Sequence, residues 1–334
     1  MEKQTTFGDL ELAGQRRTTR RAAFLEQMDA IVPWAEWEAL IRPFYYEPGG
    51  RGRPARDLGQ MLRMYLLQCW FDLSDEGCED AVLDSRAMQR FVGVDLMGEQ
   101  VPDATTLLKF RRILEDNGLQ EAMFARLNAL LDEAGVMMRG GSIVDATFIE
   151  SPSSTKNARR GRDPEAHQGK KGKNWHFGYK AHVGVDAGSG LVHTVALTPA
   201  NVSDLAMAHA LVRPDDAFCY GDSGYTGVAK RPEVAGDGAL SAVDWIVARR
   251  PSSVKTLGAA GDFERGIESR KASVRAKVEL PFLVVKRQFG WAKTRYRGLA
   301  KNYARACMSF ALANLALVAR AGRSLDPPPL AARA

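Results

Sequence analysis

The chain changes its hydrophobic period at Gly140-Gly141, and that change constrains its fold more than any other feature. Upstream, apolar residues recur at helical spacing. Leu58, Met61, Leu62, Tyr65, Leu66, Cys69 and Trp70 trace an i, i+3, i+4, i+7 stripe. Downstream, residues 142–149 alternate, with Ile143, Asp145 and Thr147 on one face and Val144, Ala146 and Phe148 on the other. A helical half therefore precedes a half built around a sheet. A chain of 334 residues is long enough for two such domains.

The helical half is expected over 23–140, after a basic flexible segment 1–22 carrying Arg16, Arg17, Arg20 and Arg21. Asp57, Ser74, Ser85 and Asp103 stand where helix N-caps are needed, and Gly118 and Gly135 where helices stop. Three short helices with tight turns between residues 57 and 92 suit a helix-turn-helix-like DNA-binding domain, and equally any small bundle. The Gly- and Pro-rich loop 47–54 offers Arg51 and Arg53 to a DNA backbone. Arg111, beside Phe110, is a further candidate phosphate contact.

In the second half, strands are expected over 142–149, 176–185, 191–198, 217–222 and 245–248, giving a mixed five-stranded sheet with flanking helices across 141–322. The insert 151–174 sets Lys156, Arg159, Arg160, Arg162, Lys170, Lys171 and Lys173 against only Asp163 and Glu165, as a flexible arm for a polyanion would. Asp145 lies inside a strand, where an unpaired carboxylate is rare, so it needs a partner. Asp222 ends a short apolar strand, the usual place for a site in an open α/β sheet. If the first and fourth strands are neighbours, these two acids meet.

A third acid comes from the stretch 275–286. Val274, Val278, Val285 and Phe289 form an apolar helical stripe, and Arg275, Glu279 and Lys286 share another face. Alone, that face reads as a surface salt bridge worth about 0.3–0.5 kcal/mol. Pro281 predicts a kink or break just after Glu279. Three converging carboxylates repel unless cations neutralise them, and oxygen-only ligands suit two Mg²⁺ ions per site, with Mn²⁺ able to substitute. Downstream, Arg287, Lys293, Arg295 and Arg297 interleave with Trp291 and other rings, a pattern suited to nucleic acid. The five histidines form no ligand spacing. Four scattered cysteines read as reduced residues of a cytoplasmic protein, and no apolar run is long enough for a membrane span. Residues 304–321 form a last apolar helix, and 323–334 a disordered tail.

These segments match a family. Pro102-Asp103-Ala104-Thr105-Thr106-Leu107-Leu108-Lys109-Phe110-Arg111, Ile143-Val144-Asp145-Ala146-Thr147, Tyr220-Gly221-Asp222-Ser223-Gly224-Tyr225, and Arg275 to Lys286 with Glu279 between resemble the DDE transposases of bacterial insertion sequences, most closely the insertion-sequence-five type. The last segment follows that family's Y-x2-R-x3-E-x6-K signature except that Ala272 holds the tyrosine place. The resemblance implies an RNase H-like catalytic domain using Asp145, Asp222 and Glu279 as metal ligands, with Arg275 and Lys286 in support. Asn201 and Asp204 match its N-x-x-D region and are possible supporting residues. It also implies recognition of terminal inverted repeats in double-stranded DNA, Mg²⁺-dependent cleavage at the ends, and transfer of the freed 3′-hydroxyl to target DNA. Self-association in a synaptic complex and a nucleoid-associated location follow, with no membrane and no small-molecule substrate. Two other readings remain: a catalytically silent transposase-derived regulator that binds DNA, and a structure-selective RNase H-like nuclease.

Overall fold

A computed structural model describes residues 17–46, 55–158, 160–256 and 261–325. The N-terminal half is helical: α1 (Arg20–Ile31), α2 (Trp34–Ile41), α3 (Leu58–Phe71), α4 (Asp75–Asp84), α5 (Arg86–Val92), α6 (Ala104–Asp116) and α7 (Leu119–Glu133). Asp57, Ser74 and Asp103 accept hydrogen bonds from the backbone amides of Gln60, Gly77 and Thr106, so each satisfies an otherwise orphaned N–H of a first turn. Ser85 holds the N-cap position of α5 without a side-chain cap bond. Helix α3 is buried almost all round and forms the centre of this half.

Beyond Gly141 the chain forms a six-stranded sheet: β1 (Ser142–Glu150), β2 (His167–Lys171), β3 (Asn174–Asp186), β4 (Val192–Pro199), β5 (Phe218–Gly221) and β6 (Asp244–Val247). β1 pairs antiparallel with β3 along its whole length. The other edge of the long β3 is shared, with β2 on residues 174–178 and β4 on residues 179–185. β5 and β6 add in parallel on the far side of β1. Gly141 has φ +103°, and a Cβ there would lie 2.4–2.6 Å from Phe218, so only glycine lets the chain enter β1 so close to β5.

One sheet face carries a separate apolar cluster of Val144, Leu211, Cys219, Tyr225, Val228 and Leu240. The other face packs into the main core, which runs without interruption into the helical half. Helix α11 (Leu299–Arg320) makes that connection, with Phe310, Leu312 and Leu315 fully buried against both. Between β6 and α11 lies α9 (Asp262–Arg275), a 3₁₀ turn Ala276–Val278, α10 (Glu279–Leu283) and a π-helical segment Val284–Gln288. The short helix Asp204–Met207 after β4 is α8.

Three expectations are corrected. The sheet has six strands and not five, because β2 adds to the edge of β3. The insert 151–174 is not a free arm throughout, because β2 makes a hairpin with the start of β3. Its two acids are structural. Asp163 accepts from the Tyr179 hydroxyl (2.8 Å) and the Gly298 amide (2.9 Å), and Glu165 from the Leu299 amide (2.6 Å), so they cap α11. Nor does Pro281 break the helix. Backbone angles stay right-handed helical from Arg275 through Val284, tightened to 3₁₀ before Glu279 and widened to π after Leu283, which absorbs the missing N–H of proline.

Candidate active site

β1 and β5 run parallel in a register that pairs Ser142 with Cys219 and Ile143 with Tyr220. Continuing that register sets Asp145 opposite Asp222, the first residue beyond β5. Each carboxylate is also held locally: Asp145 Oδ1 accepts from the Ala146 amide at 2.7 Å, and Asp222 Oδ1 from the Gly224 amide at 2.8 Å. Asp145 is half-buried, and its carboxyl is pushed up to about 6. Burial is the main cause, and the negative charges of Asp222 and Glu279 add to it, while Arg275 opposes them.

The helix bearing Glu279 is pinned at two points. Lys271 Nζ donates to the Val247 carbonyl at the end of β6 (3.2 Å). Lys277 Nζ donates to the carbonyls of Ala187 (2.6 Å) and Gly188 (2.9 Å) in the β3–β4 turn. Val278, Val285 and Phe289 form the buried stripe beneath. Glu279 stands exposed, and no ion pair joins it to Arg275 or Lys286 among the described residues. Lys286 is half-buried near Glu279 and Glu150. Its pKa lies below the usual lysine range because of burial and the nearby Lys171 ammonium. The surface salt bridge that the spacing allows is therefore absent among the described residues; Glu279 and Arg275 act on Asp145, and Lys286 lies near Lys171 of β2 and Glu150 of β1.

On the opposite face of the sheet, Lys180 is buried and pairs with Asp204 (Nζ–Oδ1 2.7 Å). His182 donates or accepts at Thr198 Oγ1 (2.8 Å), and burial pushes it down to about 4 despite Asp204 at 3.7 Å. Tyr225 is buried, its hydroxyl has no hydrogen-bond partner among the described residues, and the charges of Asp145, Asp204 and Asp222 all act on it. Lys180 is not among the residues singled out from sequence, and Tyr225 enters there only as the end of the 220–225 segment. Lys180 carried the same signal as Asp145, a charge within an apolar strand.

The candidate DNA contacts divide. Lys156, Arg160, Lys170, Lys171, Lys173, Arg287 and Lys293 are exposed, and the backbone at Lys293 forms a β-bridge with Glu150 at the end of β1. Arg51, Arg53 and Arg159 lie outside the described residues. Arg295 is drawn to Asp72 (2.9 Å) and Arg297 to the Arg162 carbonyl, so both tie segments of the chain together. Arg111 and Trp291 are corrections. Arg111 is 5% exposed, binds Asp75 (2.9 Å) and Gln68 (3.0 Å), and lies over the Tyr296 ring; Trp291 is 1% exposed in the core. Neither can reach a phosphate.

The described residues hold no group of three or more His, Cys, Asp or Glu side chains placed to hold a metal ion. The donor chemistry nonetheless fits a hard divalent cation. Asp145 and Asp222 supply oxygen only, and Asp145 carries negative charge that its surroundings leave under-compensated. Glu279 is exposed, makes no ion pair among the described residues, and its charge acts on Asp145.

The family called Transposase DDE domain matches residues 137–315, more than half of the chain and the whole of the acid-bearing sheet. The chain belongs to the DDE transposases. A second family, Transposase domain (DUF772), matches residues 13–112, the helical half of this transposase. No solved structure matches the chain. DNA is the partner that the family implies, and no helix among the described residues is long and apolar enough to cross a membrane.

Proposed function

We propose that this transposase is of the insertion-sequence-five type, binds the terminal inverted repeats of its element, cleaves phosphodiester bonds there and joins the 3′-hydroxyl ends to target DNA. The observation that carries this reading is the parallel β1–β5 register, which sets Asp145 beside Asp222, with Glu279 on a pinned helix acting on the same carboxyl. The sheet supports an RNase H-like catalytic domain, with antiparallel strands leading into parallel ones and the acids on the two central neighbours. Domain limits of 23–140 for DNA recognition and 141–322 for catalysis, and self-association around paired DNA ends, belong to the same reading.

Asp145, Asp222 and Glu279 would hold two Mg²⁺ ions. When bound, these lower the pKa of a water or 3′-hydroxyl nucleophile and neutralise charge on the leaving oxygen. The rest is the work of this chain's own groups. Arg275, half-buried and acting on Asp145, orients the acids and offers a guanidinium to a phosphate. Lys286 faces the same edge and holds a second phosphate. The exposed lysines of the β2–β3 hairpin draw the backbone in.

The test uses the terminal DNA of the element with Mg²⁺. Wild-type protein is expected to nick it and to join a pre-cut end to a second duplex. Asp145→Asn, Asp222→Asn and Glu279→Gln are each expected to abolish both reactions while keeping DNA binding. Cleavage persisting in those variants would exclude the assignment. Nicking without joining would favour a nuclease, and binding without either a silent regulator.

A further inference from the structure

Glu279 stands on a helix, whereas Asp145 and Asp222 stand on and just beyond strands, so the helix has to be fixed against the sheet. Lys277 does this from behind. It precedes Glu279 by two positions and so points about 200° away around the helix. Its ammonium donates to the Ala187 and Gly188 carbonyls. Those carbonyls can hold a lysine in one place only if the turn that bears them is itself fixed. That turn, 187–190, is shaped by Asp186, the last residue of β3.

Asp186 is fully buried. Its Oδ1 accepts from the Ser189 amide (2.7 Å) and hydroxyl (2.8 Å), the Gly188 amide (3.1 Å) and the Met138 amide (3.4 Å). An aspartate that bonds the backbone just ahead of it in this way dictates the turn. Its Oδ2 accepts from Arg213 Nη2 (3.1 Å). Burial alone would raise its pKa, but Ser189 and Arg213 outweigh burial and hold the carboxyl below its usual range. It therefore stays charged.

The same guanidinium reaches the strands. Arg213 Nε and Nη2 donate to Asp216 Oδ1 (3.1 and 2.9 Å). Nη2 also lies 3.4 Å from the Gly141 carbonyl, which accepts from the Ala187 amide at 2.9 Å. Asp216 accepts in turn from the hydroxyl of Ser142, the first residue of β1. Asp145 follows three residues along that strand, about 10 Å away, and Asp222 follows six residues after Asp216. One buried ionic network thus touches the entries to both acid-bearing strands and the turn that holds the helix.

We propose that Asp186 is a positioning residue for the reaction: through the turn 187–190 and Lys277 it sets Glu279 in the same frame as Asp145 and Asp222. It acts on the third acid from the far side of the helix and touches no reacting group. A displacement of about 1 Å at such a site costs on the order of a hundredfold in rate. The proposal rests on the transposase reading above.

The experiment compares Asp186→Ala, Ser189→Ala and Lys277→Met in the full chain, singly and in combination. Ser189→Ala keeps the buried carboxylate and its arginine, so it carries the test if Asp186→Ala folds poorly. Hydrogen exchange is read first, without DNA or metal. Asp186→Ala is expected to speed exchange of the amides at 276–283 about tenfold relative to those of β1, and Ser189→Ala to do so less. Exchange there unchanged in both variants, or raised equally throughout the sheet, would overturn the proposal. Cleavage of saturating terminal DNA with Mg²⁺ is read second. Asp186→Ala is expected to lower it about ten- to a hundredfold, with DNA affinity in EDTA kept within about twofold. Added to Lys277→Met, it is expected to lower cleavage by no more than about twofold further, because the path to Glu279 is already cut. Losses that multiply would show that Asp186 does not act through Lys277 and would overturn the proposal. Wild-type protein that cleaves no terminal DNA would remove the transposase reading instead, and the exchange result would still decide whether Asp186 holds the helix.

Discussion

Among single residues, the same physical fact explains both the legible and the misread positions: a charge in a folded chain must be solvated, paired or used. Asp145, inside an apolar strand, has no cation within ion-pair distance among the described residues, and its carboxyl is pushed up to about 6 by burial and by two other acids. Its charged form therefore opposes folding fully above about pH 6; that opposition shrinks as pH falls below 6 and is gone below the ordinary carboxylate range. Asp145→Asn is accordingly expected to raise the melting temperature at pH 8 without metal, by about 2–4 °C for each kcal/mol regained. A lower melting temperature would show that the carboxylate is stabilised by something other than bound cation. Arg111 is the opposite case. Its sequence neighbours suggested solvent, but Asp75 and Gln68 lie 36 and 43 positions away and take the guanidinium into the interior. His193 follows the same logic with protons. It binds Ser142 Oγ (2.8 Å) and Thr194 Oγ1 (2.9 Å), and burial, with Arg213 adding, pushes it down to about 4. A histidine depressed in the fold stabilises fully above its unfolded pKa of about 6.5 and loses that contribution as pH falls toward 4. Melting curves from pH 7 to 4.5 should therefore show declining stability, and His193→Gln should flatten part of the slope.

Secondary-structure elements reveal where local rules suffice. The helix starts at Asp57, Ser74 and Asp103 and the stops near Gly118 and Gly135 were readable because caps and left-handed glycines act within one turn. The strand β2 was not, since His167–Lys171 has no apolar alternation of its own and is a strand only because β3 offers an edge. The segment through Pro281 depends on two scales. Proline should disrupt a helix, but Lys271 and Lys277 pin this one ahead of the proline and the buried Val284 and Val285 hold it beyond, so it changes winding rather than breaking. Lys277→Met removes the clamp to the β3–β4 turn. The expected result is a fall in cleavage of about ten- to a hundredfold from misplacement of Glu279, with DNA affinity kept. Unchanged cleavage would mean that the apolar stripe of Val278, Val285 and Phe289 positions the acid unaided.

Over the whole molecule, the change of period at Gly141 marks a change of secondary structure but not a break in the core. Helix α11 packs against the sheet and against α1, α3 and α7, and the apolar cluster it joins extends from Leu25 to Val318. Arg295 binding Asp72 adds a polar tie between the halves. Unfolding should consequently be one cooperative event. Phe310→Ala, at a fully buried position, is expected to cost about 3–5 kcal/mol and to shift the fluorescence of the helical half and the circular dichroism of the sheet together. Two separated transitions would show that the halves are energetically independent.

The sequence by itself determined the two classes of structure, the caps, the strands bearing Asp145 and Asp222, and the helix bearing Glu279, because each depends on residues within a few positions of one another. Only the tertiary structure decided which carboxylates face each other, that Arg111 and Trp291 belong to the interior, and that Glu279 is free of the salt bridge its spacing allowed. The reason is that strand register and burial are set by contacts between segments scores of residues apart. No local pattern encodes them.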